Sequence, residues 1–348
     1  MINLIRKAQK QKFDKPVLHL LTETEDYGLV ASVKHYYNIY KIQILALVLV
    51  LSVAIIAIVL GWVYRSVTTA NNQKLVGLTM PQFNASLATI TVYDVGELNY
   101  SVTSASAYKY DGNFLPKAIN AVNMLGISEA PAYNSYSGYY FWEGEGIQAR
   151  VSMITGQFTL QGSSTLRWMT EEDIKTGVSA LFMTNPELLH LSSKTENEGF
   201  IWWTFTGEVE EKVIYFGVNE IMLSVTTRTD GTVTEINYYI LDIVDFAKVP
   251  ILSSDTTMSD VTSRSVQVDA AVRADMPSEC LGEFCYVDTV YDPTGAITAN
   301  SAELALFYNQ NGSTFLVPVL CLKGTLTTAE GASGDATVLV DIVDWDKL

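Results

Sequence analysis

Carboxylates dominate the side chains that could do chemistry. The tightest groups are Glu143 with Glu145, then Glu208, Glu210 and Glu211, then Asp341, Asp344 and Asp346. A glycoside hydrolase needs two carboxylates at a set separation, one as acid and one as base or nucleophile. A carboxylate-based hydrolase acting on surface glycans is therefore one reading of the chain. The sequence holds 38 acidic residues, so close pairs are bound to occur, and solvated turns are the simpler account of them. The group in VDIVDWDKL offers oxygen ligands for calcium but lacks the alternating spacing and glycine of a dedicated loop.

Other reactive types are sparse. Beyond Lys41 the only histidine is His190, which follows Leu188 and Leu189 with no GxSxG or comparable nucleophile frame anywhere in the chain. Three cysteines are present. Cys280 and Cys285, in CLGEFC, would close a very short disulfide loop in an oxidising compartment, while Cys321 sits in the apolar run FLVPVLCL as a core thiol. Zinc would need a fourth ligand, so no metal site is expected, and no cofactor either.

Aromatic residues are the more suggestive set. Tyr133, Tyr136, Tyr139, Tyr140, Phe141 and Trp142 crowd one segment, and Trp202 and Trp203 lie in a second. On strands they divide between two faces, one of them the core. The candidate binding surface is the outward side of the strands bearing Tyr140, Trp142, Trp202 and Phe205; alternation leaves open which side is outward. Such a face would suit a peptide, a glycan or a protein partner. The competing reading has both faces covered by helix and by neighbouring structure.

What must carry these residues is a membrane-tethered body. Ile44 to Val63 reads ILALVLVLSVAIIAIVLGWV, twenty residues without charge, bracketed by Lys41 and Arg65. Twenty helical residues span roughly the 30 Å hydrocarbon core, and Trp62 and Tyr64 fall where an aromatic belt lies. A signal-peptide core is shorter and nearer the terminus. Residues 1–41 hold seven basic and four acidic side chains, a net +3. The remaining 15 basic and 34 acidic residues give −19. Positive charge stays inside, so the N-terminus is expected to be cytoplasmic and the C-terminal body extracytoplasmic. The acidic body would repel phosphates, which argues against nucleic acid as its partner.

Six segments follow: a basic tail at 1–41, a transmembrane helix at 42–65, a polar linker at 66–82, two helix-plus-sheet units at 83–165 and 166–248, and a β-rich unit at 249–348. The fold class expected is α+β. FLPKAINAVNMLG reads as a helix that stops at Gly126 and is followed by short alternating strands. The order recurs from Thr170, a helix cap with acids in the first turn, through FIWWTFTG to the Asp230-Gly231 hairpin and TVTEINYYIL. Little sequence identity links the two halves, so this is a duplication of structure rather than a recent repeat.

That order, with Ser152-Met153-Ile154-Thr155-Gly156-Gln157 and Arg228-Thr229-Asp230-Gly231-Thr232 as its turns, resembles the PepSY-type domain. The family's acid before the turn is replaced by Ser152 in the first, and the second has Asp-Gly for Thr-Gly. The whole is similar to the membrane-anchored YycI/YycH-type accessory proteins, chiefly in YFGVNEIMLSVTTRTDGTVTEINY and more faintly in ELALFYNQNGSTFLVPVLCLKG. The resemblance implies a body of tandem helix-plus-sheet units, contact with a sensor kinase in the membrane, and no catalytic residues. The expected function is thus a non-catalytic interaction or sensory module. Its expected partners are the lipid bilayer, another membrane or envelope protein, and, as a further candidate, a second copy of the chain.

Overall fold

The computed structural model describes residues 29–82, 89–92, 103–144, 146–162, 164–217, 219–270, 272–273, 289–290, 295–309 and 313–348. Most of the basic tail lies outside these residues, as do Cys280, Cys285 and Glu145. Contacts group the chain into two units, Met1–Thr69 and Ala70–Leu348.

A single helix, α1 (Leu29–Lys74), carries the apolar run. Its stretch Leu45–Val67 has a mean hydropathy of 2.9 and none of it is buried within the protein. At 23 residues it is about 35 Å long, enough to cross a membrane. The helix does not stop at Arg65 but takes up the first nine residues of the segment expected as a linker. No glycine or proline intervenes between Gly61 and Gly77. The hydroxyls of Ser66 and Thr69 fold back onto the carbonyls of Val63 and Arg65, at 2.9 and 2.8 Å, instead of competing for other partners.

Residues 70–348 are strand-rich. β1 (Thr89–Val92) and β2 (Ser104–Tyr110) precede α2 (Phe114–Met124), which is followed by β3 (Ala132–Asn134), β4 (Tyr139–Gly144), β5 (Ile147–Ser152) and β6 (Gln157–Gly162). Next come α3 (Glu171–Phe182), β7 (Leu189–Asn197), β8 (Phe200–Val209), β9 (Lys212–Tyr215), β10 (Ile221–Arg228) and β11 (Val233–Tyr239). The rest comprises β12 (Ile243–Pro250), α4 (Ser254–Ser259), β13 (Ser265–Ala270), β14 (Val272–Arg273), β15 (Thr289–Val290), β16 (Ala296–Tyr308), β17 (Phe315–Thr327) and β18 (Ser333–Asp341). Among the described residues, sixteen of these strands form one branched sheet, and the fold is α+β.

The sequence of a helix and then antiparallel strands occurs twice. β3 to β6 form a four-stranded meander, and β7, β8, β10 and β11 form another. The last strands of the two meanders, β6 and β11, pair antiparallel, with Asn237 opposite Thr159, so eight strands run as one surface. α2 buries Phe114, Ala118, Ala121 and Val122, and α3 buries Ile174, Val178, Leu181 and Phe182, into a shared core. Each large apolar side chain so buried stabilises by about 1.5–3 kcal/mol. The helices touch through Asn120 Nδ2, which donates to the Leu181 carbonyl at 2.7 Å.

Local sequence explains the starts and turns. Thr170 and Asp173 form a reciprocal capping box, with Asp173 N–H donating to Thr170 Oγ1 at 3.1 Å and Thr170 N–H donating to Asp173 Oδ2 at 2.9 Å. Gly156 and Gly231, the turn glycines of the two halves, have φ of 65° and 83°. A Cβ on Gly156 would lie 2.6 Å from the ring of Phe114, and one on Gly231 2.7 Å from Met169 Cγ. In both halves the turn between the last two meander strands thus presses on the start of that half's own helix, where only glycine fits.

The remaining strands extend the same sheet. β9 forms a hairpin with β8 and pairs parallel with β16 at Leu306 and Phe307. β16 and β17 pair along nearly their whole length. β17 then borders β2 at Phe315 and Leu316 and β18 from Val319 onward. Pro318 sits inside this buried central strand, although proline is ordinarily confined to an edge strand or a bulge. Its missing N–H falls where β17 changes neighbour, so no ladder bond is lost. β12 ends the sheet beyond β2.

Candidate functional site

Alternation along the eight merged strands sends apolar residues toward α2 and α3 and leaves a polar outer face. Two cross-strand rows define it. One runs Trp202, Thr226, Glu235, Gln161, Gln148, Glu143; the other runs Thr204, Ser224, Asn237, Thr159, Arg150, Phe141. Five strand spacings separate the ends of each row, about 24 Å. The groups between the ends are hydroxyls, amides and a few charges.

Aromatic residues mark both ends. At one, Trp202 is 39% exposed and its ring lies 6.2 Å from that of Phe200. At the other, Tyr139 and Phe141 are 6.0 Å apart, with the Arg150 guanidinium 5.5 Å over the Tyr139 ring. Aromatic platforms flanking hydrogen-bonding groups can hold an extended polar chain by stacking and by hydrogen bonds.

The four residues expected to share the outward side do not do so. Trp142 is 2% exposed and Phe205 0%, and both belong to the core beneath the helices. Tyr140 is half-buried on that same helix side, its ring tilted against that of Tyr133 at 4.7 Å. Only Trp202 faces out. The physical reason is the two-residue period of a strand: positions 202 and 205 differ by an odd number and so take opposite faces. Tyr139 and Phe141, which the sequence marks only as part of the aromatic segment, take outward positions instead, together with Phe200 and Arg150, which no sequence pattern singled out. Once Trp142 is known to be buried, the same period places Tyr139 and Phe141 outside.

Other reactive groups are spoken for. His190 is half-exposed on β7, its Nδ1 3.9 Å from Glu208 Oε2. Glu210 and Glu211 form the β8–β9 turn with φ of 49° and 63°. Asp341 is fully buried, accepting from the Trp345 indole and from Val343 N–H and pairing with Arg264 at 3.4 Å. Burial raises its carboxyl above the ordinary value, against the opposing pull of those donors. Cys321 is fully buried, and its Sγ lies 3.3 Å from Tyr215 Oη. Burial pushes the thiol up to about 11, which keeps it protonated and unreactive at neutral pH. Among the described residues no group of three or more His, Cys, Asp or Glu side chains is arranged to hold a metal ion. An open apolar hollow of about 270 Å³ is lined by Leu75, Leu78, Trp345 and Leu348.

No family model matches the chain, and no curated protein matches it in sequence. Among solved structures it is similar to an uncharacterized protein from Eubacterium rectale ATCC 33656, at 8% identity and a TM-score of 0.33 over 70% of this chain and 84% of that one. It is also similar to the C-terminal domain of Bacillus megaterium YpeB, at 12% identity and a TM-score of 0.24 over 66% of this chain and 92% of that one.

Proposed function

We propose that this chain is a single-pass, membrane-anchored module whose C-terminal body lies outside the cell membrane, where it binds a partner protein of the membrane or envelope and modulates it without catalysing a reaction. The observation that carries the reading is one helix with a 23-residue stretch of high hydropathy in the same chain as a strand-rich body with a polar, aromatic-ended outer sheet face. The charge split of +3 over residues 1–41 and −19 after them supports the orientation. The repeated helix-and-turn arrangement at Gly156 and Gly231 supports the PepSY-like element of the reading. A partner that grips the outer face could bias a bistable neighbour held in the same membrane.

Crosslinking capture from membranes with the full chain tests this. Trp202→Ala should reduce the captured partner while leaving the folded body intact, because Trp202 contributes little to the core. A purified protein that hydrolyses glycan, and loses that activity when one pair of acids is changed, would show that the enzyme reading is the correct one.

A further inference from the structure

The end of α1 and the edge strand β12 form a patch that differs from the rest of the acidic body. Asn71 and Lys74, on the last turns of the helix, bond β12 through Lys248 and Asp245. On that strand Val244 and Phe246 are 58% and 51% exposed, and Val76, just past the helix, is 70% exposed. Lys74 Nζ lies 5.4 Å from the centroid of the Phe246 ring and 2.8 Å from Asp245 Oδ1. Lys248 adds a further cation on the same side of β12 as Phe246.

Chain length decides what can cover this patch. The uncharged run ends at Val63, and the stretch of high mean hydropathy, which includes Arg65, ends at Val67, four residues before Asn71 and seven before Lys74. As helix those intervals are about 6 and 10 Å, comparable to the depth of one headgroup layer. Strand β12, bonded to Asn71 and Lys74, is therefore tied to the chain within about two helical turns of the end of that stretch. Exposed Phe and Val beside lysines are the residue types that favour that layer: the ring enters the acyl boundary and the ammonium reaches phosphate.

We infer that the Val244–Phe246 segment of β12, with Lys74 and Lys248, is a lipid-contact surface that rests the body on an anionic bilayer. The inference stands on the proposed membrane anchor and adds a second point of attachment to it. Lysine ammonium groups pair with lipid phosphate, and Phe246 and Val244 leave water for the acyl boundary.

Photocrosslinking of the full chain in nanodiscs of phosphatidylcholine and phosphatidylglycerol tests this. Benzoylphenylalanine replaces one residue at a time: Phe246, Ile55 in the apolar helix, or Gln148 on β5, nine strand positions from β12 along the sheet. Lipid adducts are read by mass. The expected result is adduct at 55 and at 246 in similar yield, with only background at 148. Adduct at 55 but background at 246 overturns the contact and leaves the anchor standing. Background at 55 overturns the anchor itself, and the contact with it. Equal yield at 148 and 246 overturns the assignment of the contact to β12.

Discussion

The carboxamide of Asn71 exchanges two hydrogen bonds with the backbone of Lys248. Its Nδ2 donates to the carbonyl at 2.8 Å and its Oδ1 accepts from the N–H at 2.9 Å. A side chain thus does for the free edge of β12 what a neighbouring strand would do. Asn71→Ala removes both bonds and should cost about 1–2 kcal/mol at this partly exposed position. Asn71→Asp keeps the acceptor and should cost less. Hydrogen exchange at the Lys248 amide is the local readout: it should quicken in the alanine variant and remain slower in the aspartate one. Equal exchange in all three proteins would show that the pair does not protect the edge.

The two turn glycines should respond more strongly than other glycines of positive φ. Gly156→Ala and Gly231→Ala each meet backbone strain of about 1–2 kcal/mol, with a clash against Phe114 or Met169 added. Gly126 and Gly199 share the positive φ but have open space around the missing Cβ. Urea unfolding of the four alanine variants should rank the first pair as the less stable. Four equal losses would mean that only the φ matters.

The tryptophans of β4 and β8 should separate sharply. Trp142→Ala empties a core position and should cost about 3–5 kcal/mol. Trp202→Ala removes an exposed ring, and its effect on stability should stay near 0.5 kcal/mol. Thermal unfolding checks the first and partner capture the second. A Trp202 variant that unfolds as readily as the Trp142 variant would place that ring in the core.

Asp173 gives a pH-dependent signature. The backbone N–H of Met169, together with hydrogen bonds from Thr170, holds its carboxyl below the usual carboxylate range. Its contribution is therefore complete above the ordinary value of about 4 and is lost as pH falls through the lowered folded value. Asp173→Asn should lower the unfolding temperature at neutral pH, with the gap to the parent protein closing in strong acid. A gap that stays constant across the titration would mean that the charge of the carboxylate is irrelevant to the cap.

How far the sequence could be read depends on whether local pattern or distant packing decides each feature. The apolar helix, the Thr170 cap, the Asp230-Gly231 turn and the helix-then-strands order are local, and they emerge from a few adjacent residues. The outward face is different. Choosing among Tyr140, Trp142, Trp202 and Phe205 needs the side on which α2 and α3 lie, and that is settled by contacts such as Asn120 with Leu181, sixty-one positions apart. The continuation of α1 to Lys74 was missed because threonines and asparagines have modest helix propensity. There the bonds of Asn71 and Lys74 to β12 add tertiary support to the helix end. The position of Pro318 was equally illegible, since it depends on two strands meeting β17 from one side.

The antiparallel pairing of β6 with β11 joins equivalent last strands from two similar halves. Two identical subunits related by a twofold axis would meet in that way. The chain therefore has the form of a symmetric dimer made continuous within one polypeptide. Once the halves share a chain they are free to diverge. Among the described residues only the second meander carries an inserted strand, β9, through which it pairs in parallel with β16. A mirror-like scaffold has thus acquired a head and a tail. A ligand spanning the outer face would meet a tryptophan at one end and a tyrosine with an arginine at the other, so it could bind in one direction only.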